Sequence, residues 1–425
     1  MHFNAYSNYK NSGVEWLGEV PEHWTNNKFK HVFFEKQHTQ NMELPFGAIS
    51  FGKVVFKEDR ANLTEELKAN YQEVLQGEFL INPLNLNYDL KSLRTALSKI
   101  DVVVSSGYIV LDTKDDSNSK AYLEYLLYIF DIFHMKSMGA GIRQTINFKD
   151  IGQSEVVLPN IDEQNQIAEF LDNETAKIDN LIAKQEQLIV LLEEQRKSVI
   201  SHAVTKGLDP NAPMKNSGVE WLGEVPKHWD IASYKQICKI YRGKFTHRPR
   251  NDPSLYDGIY PFIQTGDIAK NKHLISSYSQ TLNEKGKAVS QLFPKGTLIM
   301  AIAANIGDVS ILGFDAYAPD SIIGFAPKDN LLLDFLRYSF KASLPALEQV
   351  STKNTQSNLN IDRVGSVKTT LPPLEEQQKI IDFIETENSK IDNLIQKQQQ
   401  LINQLKEYRT SVISHAVTGK IKVTQ

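Results

Sequence analysis

Nine consecutive residues, Arg242-Gly243-Lys244-Phe245-Thr246-His247-Arg248-Pro249-Arg250, carry four basic side chains and a histidine. That density suits contact with a row of phosphates, and it suits a solvated loop equally well. Thr352-Lys353-Asn354-Thr355-Gln356-Ser357-Asn358 is almost wholly polar. Lysine donates to guanine, and Asn or Gln bonds adenine bidentately, which makes Lys353, Asn354 and Gln356 candidate base readers; a turn-rich connector has the same composition. In the first half of the chain the corresponding stretch is Gly139-Ala140-Gly141-Ile142-Arg143-Gln144-Thr145, where Arg143 and Gln144 are the candidates. Lys36-Gln37-His38 is a weaker third choice, resting on Lys36 and His38.

Signals for catalysis are thin. Asn82-Pro83-Leu84-Asn85 and Asp252-Pro253-Ser254-Leu255-Tyr256 loosely resemble an adenine methyltransferase loop, but each lacks its second proline. Gly139-Ala140-Gly141 has neither a preceding strand nor a third glycine, so it is no dinucleotide fingerprint, and no P-loop is present. Asp59 with Glu66-Leu67-Lys68 has the residue types of a metal-nuclease site, but such triplets are common on helices. His202 and His415 recur at equivalent places and read as helix-end or partner-facing residues rather than metal ligands. The expectation is a non-catalytic chain with no metal site and no cofactor of its own.

What must position the polar loops is a frame written twice. Lys10 to Trp24 reads KNSGVEWLGEVPEHW; Lys215 to Trp229 differs only in having Lys227 where the first copy has Glu22. Leu158-Pro159-Asn160-Ile161-Asp162-Glu163-Gln164 is matched by Leu371-Pro372-Pro373-Leu374-Glu375-Glu376-Gln377. Ile178-Asp179-Asn180-Leu181-Ile182 returns as Ile391-Asp392-Asn393-Leu394-Ile395, and SVISHAVT stands at both 198–205 and 411–418. The regions between these frames differ almost throughout. Simple duplication with drift would not spare the frames and scramble the inserts, so the pattern is one scaffold carrying two surfaces.

After each LP pair the periodicity turns helical. Leu171, Ile178, Gln185, Leu192 and Val199 are spaced by seven, as are Ile384, Ile391, Gln398, Leu405 and Val412. Their companion rows are Glu174, Leu181, Leu188, Gln195 and His202, and Glu387, Leu394, Leu401, Tyr408 and His415. Together these are the a and d rows of a coiled-coil seam. Each helix of about 40 residues would span roughly 60 Å. Matched helices in one chain favour an internal pair over a homodimer, with Gln185 and Gln398 as polar seam residues that fix register. Residues 161–206 carry nine acidic and five basic side chains and 374–418 seven and five, so the helices are poor phosphate binders. The remaining 37 basic and 35 acidic residues leave the rest slightly positive, against a net charge of -4 for the whole.

Each insert mixes strands with one apolar helix. In the first, 48–51, 79–82, 102–104 and 108–111 read as strands and 121–135 as helix; in the second, 262–265, 297–300, 309–312 and 322–325 are strands and 331–344 is helix. The class is α+β: two α/β target-recognition domains separated by a pair of long antiparallel coiled-coil helices in a pseudo-two-fold repeat. The divisions fall at 1–157 for the first recognition domain, 158–206 for the central spacer helix, 207–370 for a linker and the second recognition domain, and 371–425 for the last helix and tail. No apolar run approaches the roughly 20 residues that cross a bilayer, and Met1-His2-Phe3-Asn4 does not open a secretory signal. Cys238 is the only cysteine, which excludes an intrachain disulfide and a multi-cysteine zinc site. The cytoplasm is the expected compartment.

The SGVEWLGEVPxHW box, the LPxxxEQxxI helix entry, the IDxLI segment and the SxISHAVT ending resemble the frames of type I restriction–modification specificity subunits. So does the stretch from Gly243 through Tyr260-Pro261-Phe262-Ile263-Gln264-Thr265-Gly266-Asp267-Ile268. The resemblance covers essentially the whole chain. It implies that each recognition domain reads one half of a bipartite site in double-stranded DNA, and that the helices are a ruler. The helices would also dock two methyltransferase subunits, which restriction and translocase subunits then join. S-adenosylmethionine, ATP and magnesium would be used by those partners, not by this chain. Two domains on a stiff spacer could meet major-groove faces about 34–36 Å apart, one helical turn. A self-sufficient methyltransferase or nuclease, and a coiled-coil adaptor with no DNA role, are the competing readings.

Overall fold

Both heptad tracts form unbroken helices. The computed structural model describes residues 4–57, 68–84, 93–138, 146–271, 273–302, 308–350 and 361–423. The helices that matter below are α1 (Lys120–Phe133), α2 (Ile161–Lys206), α3 (Glu284–Val289), α4 (Leu333–Ala342) and α5 (Leu374–Val417). The chain forms two compact units, residues 1–185 with 400–425, and residues 186–399. Each long helix therefore gives its first half to one unit and its second half to the other. Within each unit the two half-helices run antiparallel. Arg409 bonds Asp179 at 2.9 Å in the first unit, and Arg196 bonds Asp392 at 2.6 Å in the second.

The predicted seam is half right. Leu171, Ile178, Leu192, Ile384, Ile391 and Val412 are buried, while Gln185, Gln398 and Leu405 are half-buried. The companion row is corrected by one residue: Leu181, Leu188, Leu394, Leu401 and Tyr408 are exposed, and Ile182, Ile189, Ile395 and Ile402 turn inward instead. A helix of 3.6 residues per turn drifts from a strict seven-residue repeat. A helix packed on both a partner and a domain core follows whichever face those neighbours cover.

Each frame box lies against one end of both long helices. In the first unit Trp24 is fully buried and donates its indole N–H to the Glu163 carboxylate at 3.2 Å. The same carboxylate bonds His23 at 2.9 Å and takes a hydrogen bond from the Tyr6 hydroxyl at 2.6 Å. In the second unit Glu376 bonds the Trp229 indole and His228, both at 2.8 Å. Each carboxylate sits in the first turn of its helix, where backbone N–H groups favour a negative charge. Gln164 and Gln377, the next residues, accept from the backbone N–H groups of Ser119 at 2.9 Å and Leu332 at 2.8 Å, the residues that precede α1 and α4. The opposite helix end meets the same box. Ile413, Ala416 and Val417 of α5 join the first core with Trp24, and Ile200, Ala203 and Val204 of α2 join the second with Trp229. Gly419 and Gly207 follow these helices at φ of +70° and +78°. A Cβ on Gly419 would fall 2.3 Å from Pro21, and one on Gly207 3.0 Å from Trp229.

The inserts are closed excursions. Strand Thr25–Lys28 pairs antiparallel with Glu155–Leu158, and Asp230–Ser233 with Lys368–Leu371, so each insert leaves and re-enters the scaffold at one place. The first insert builds a four-stranded sheet in the order Phe33–Glu35, Ile109–Thr113, Phe79–Ile81, Thr95–Leu97, with α1 packed on it. The second builds a five-stranded sheet, Cys238–Arg242, Ile322–Pro327, Leu298–Ala301, Val309–Leu312, Leu274–Ile275. A further four-stranded sheet runs Gln280–Leu282, Tyr256–Phe262, Ala316–Ala318, Gln291–Phe293. The expected strand at 262–265 is corrected: the strand ends at Phe262, and Thr265–Lys270 is a helix. Gln264 and Asp267 form a reciprocal capping box there, which overrides the local β-propensity.

On α1, Asp131 is fully buried; burial raises its carboxyl to about 6, against the pull of the Arg94 N–H and the nearby Lys136 and Arg94 charges. A raised acid favours folding below its unfolded value and loses that contribution as pH climbs through the folded one. Stability tied to Asp131 therefore falls by about 3 kcal/mol between pH 3 and pH 7. Thermal melts should show Asp131→Asn more stable than wild type at pH 7 and level with it at pH 4; equal melts at both would refute this. The clasps differ in burial, with side-chain exposures of 8% for Glu163 and 36% for Glu376. Glu163→Ala should cost about 3 kcal/mol by stranding buried donors, and Glu376→Ala about 1 kcal/mol. Equal losses in denaturant titrations would contradict the assignment.

Candidate nucleic-acid interface

The basic loop of the second unit starts where edge strand Cys238–Arg242 leaves its sheet and crosses to the next one. Gly243 makes the crossing: its N–H donates to Ile322 O at 2.9 Å, and a Cβ there would lie 1.8 Å from Pro319 O. Lys244 N–H then reaches Ala318 O at 3.1 Å, and Thr246 N–H reaches Val289 O at 3.1 Å at the end of α3. The run is extended, so its side chains alternate. Phe245 is buried against Phe262 and Tyr256, whereas Arg242, Lys244 and Thr246 are exposed.

Not all of the loop's charge faces solvent unopposed. Arg250 donates twice to Asp320, at 2.6 Å to each oxygen. Arg248 donates to Phe245 O at 2.6 Å and His247 O at 2.8 Å, and lies 3.6 Å from Asp320. His247 pairs with Asp252 at 2.9 Å. The Asp252 carboxyl is held below its ordinary range by hydrogen bonds from the Ser254 backbone and side chain and from His247. The segment that loosely resembled a methyltransferase loop is thus a capped turn: Asp252 accepts from Ser254 N–H and heads Pro253–Leu255. Arg242 and Lys244 have no side-chain partner among the described residues, and they are the loop's available cations.

In the first unit Lys36 is half-buried and bonded to Glu73 at 3.1 Å and Glu78 at 2.8 Å. Burial works against its charge, but hydrogen bonds and attraction from the two glutamates outweigh it and raise the ammonium above its usual range. Its charge is thus already matched. His38 is exposed. Arg143, Gln144, Lys353, Asn354 and Gln356 lie outside the described residues. A cleft of about 400 Å³ opens between the Phe51–Val54 hairpin and the paired helices of this unit, lined by Glu124, Asp172, Asp179, Lys53, Lys99 and Arg409 among others. Burial raises the Glu124 carboxyl. Among the described residues no three His, Cys, Asp or Glu side chains are grouped to hold a metal ion. No helix there is long and apolar enough to cross a membrane.

The basic loop is legible in the sequence, but its partner Asp320 is not, because a contact over 70 residues leaves no local pattern; Asp252 lies only five residues from His247 and was within reach. Sequence reasoning also missed that the Glu-Gln dipeptide at each helix entry is the scaffold's main polar tie. The recurrence of that dipeptide in both copies was the available signal.

Residues 30–190 and 226–407 match the family model for the type I restriction modification DNA specificity domain. Over 341 residues the chain is 25% identical to the MjaVIII specificity subunit of a type I restriction enzyme from Methanocaldococcus jannaschii, covering 76% of this chain and 75% of that protein. Among solved structures, a chain of a type I R-M system aligns over 94% of this chain and 98% of its own length, with a TM-score of 0.67 at 15% identity. The HsdS subunit from Thermoanaerobacter tengcongensis aligns over 95% and 98%, with a TM-score of 0.50 at 16% identity. At those identities the two structures establish likeness of fold.

The different bonding of the cations sets a salt-dependence test. Arg242→Ala and Lys244→Ala should each lower duplex affinity and reduce the slope of log affinity against log salt by about one. Lys36→Ala should leave the slope unchanged and lower thermal stability. A slope change in Lys36→Ala with none in Lys244→Ala would reverse the assignment.

Proposed function

This chain belongs to the type I restriction modification DNA specificity family, and from that premise we propose that it reads a bipartite duplex DNA site, one half with each compact unit. The observation that supports this best is the repeated scaffold. The same clasp, helix ends and strand closure occur in both units, and the inserts they carry share little sequence. A scaffold kept constant around unlike surfaces is what two unlike half-sites require. Phosphate contacts from exposed cations such as Arg242 and Lys244 would hold the register, and polar and apolar side chains of the inserts would read base edges.

The two long helices, each running from one unit into the other, would set the distance between the half-sites. Their acidic character suits protein partners better than phosphates. Each also exposes apolar side chains, Leu181, Leu188 and Leu191 on α2, and Leu394, Leu401 and Tyr408 on α5. We assign these rows to the docking of two methyltransferase subunits, with restriction and translocase subunits joining that core. The family is non-catalytic, and the adenine methylation and cleavage directed by this chain would belong to those partners, with S-adenosylmethionine, ATP and magnesium bound there.

Because each insert enters and leaves through one strand pair, it should be exchangeable. Replacing residues 25–157 with the insert of another specificity subunit and sequencing the methylated adenines of the host should change one half-site only. The second half-site and the spacing should persist. An unchanged motif, or loss of both halves in a folded chain, would count against the modular reading.

A further inference from the structure

In the second unit Ile259 is 81% exposed, in the middle of a strand that otherwise feeds a core. The strand Tyr256–Phe262 pairs irregularly with its neighbour. Tyr256 and Tyr260 both stand opposite Leu282, so Asp257, Gly258 and Ile259 are looped outward. This finger is built, not slack. Asp257 lies at φ +60°, a region few non-glycine residues adopt. A Cβ on Gly258 would fall 2.4 Å from both Asn283 Cα and Leu282 O. Asn283 donates its side-chain amide to Ser254 O and Tyr256 O, each at 3.0 Å. Its side-chain oxygen accepts from the N–H groups of Lys285 at 3.0 Å and Gly286 at 3.2 Å, capping α3. One residue thus fixes the finger to the helix that carries Lys285 and Lys287. On the other flank the Phe245 and Tyr256 rings stack at 6.3 Å, and the Tyr256 hydroxyl bonds Arg250 O, joining the finger to the basic loop.

Exposure alone says little, since single exposed apolar residues are common. The surroundings decide. Phe51 in the first unit is 86% exposed at a hairpin tip, but it borders a cleft in which Glu124, Asp172 and Asp179 balance Lys53, Lys99 and Arg409, leaving no excess of positive charge for phosphates. Ile259 instead projects from a support whose neighbouring segments bear Arg242, Lys244, Arg248, Arg250, Lys285 and Lys287 against Asp252, Asp257, Glu284 and Asp320, a net positive balance. A braced apolar tip beside Arg242 and Lys244, unpaired among the described residues, fits a nucleic-acid groove: the cations meet the backbone and the tip meets a base edge. The one apolar group on the major-groove edge of a base pair is the thymine methyl.

We propose that Ile259 is a specificity-determining residue of the second unit, packing on a thymine methyl in its half-site. This rests on the reading of the chain as a DNA-sequence reader. The test uses the complex reconstituted with its methyltransferase subunits, and duplexes carrying the motif mapped from host methylation. One duplex has uracil for thymine in the half-site that insert exchange assigns to the second unit. Wild type should lose roughly fivefold to tenfold in affinity on that replacement. Ile259→Ala should lose as much on the thymine duplex and nothing further on the uracil duplex. Its non-specific affinity and salt slope should match wild type. Since the side chain is exposed, the variant should fold normally. Wild-type-like discrimination by Ile259→Ala, additive losses, a half-site without thymine, or a defect in subunit assembly alone would each overturn the proposal while leaving the reader intact. A wild-type complex with no preference for its motif would remove the reading of function and this inference with it.

Discussion

The scaffold depends on a carboxylate at the mouth of each long helix, buried at Glu163 and half-buried at Glu376. Glu163 and Glu376 each occupy the first turn, where the helix dipole favours their charge. Each takes the indole N–H of a tryptophan that is itself wholly enclosed. Without such an acceptor the indole would be a buried donor with nowhere to turn. The adjacent glutamine extends the tie to the residue before the insert's main helix. Box, long helix and insert are therefore joined through two consecutive side chains, once in each unit.

The same box also receives the far end of the other long helix. Its proline leaves no room beyond a glycine at residue 419, its tryptophan crowds Gly207, and the alanine and valine of SHAVT fill the core beneath. Each unit consequently needs segments far apart in sequence: residues near 10–24, 161–171 and 411–421 in the first, and 200–207, 215–229 and 374–384 in the second. Each insert starts and ends at a single antiparallel strand pair, and its main helix packs into the same core as the box and the long helices.

Electrostatics divides the molecule along similar lines. The long helices carry the acidic excess, and their ion pairs, Arg409 with Asp179 and Arg196 with Asp392, are spent on holding half-helices together. The basic loop of the second insert spends part of its charge internally as well. Both oxygens of Asp320 accept from one Arg250 nitrogen, which fixes the loop's shape and leaves Arg242 and Lys244 as the loop cations with no side-chain partner among the described residues. Charge density along the sequence does not reveal that part of this loop's charge is already paired within the chain.

By itself the sequence determined the repeat, the two long helices, the α+β class and the family, because near-identical frames and a sustained seven-residue period are local and redundant signals. It placed most of the insert strands it expected and both apolar helices within a few residues, and left others, such as Tyr71–Val74 and Cys238–Arg242, unread. It misplaced the second seam row and the strand at 262–265, since a helix face and a capping box are settled by what packs against them. Only the tertiary structure decided that Glu163 and Gln164 are ties rather than mere helix-entry residues. Only it showed Lys36 already matched by two glutamates, and Ile259 thrust outward by a bulge. These are contacts between residues tens to hundreds of positions apart. Chain order carries no record of which distant groups meet; the free energy of burying them together selects the partners.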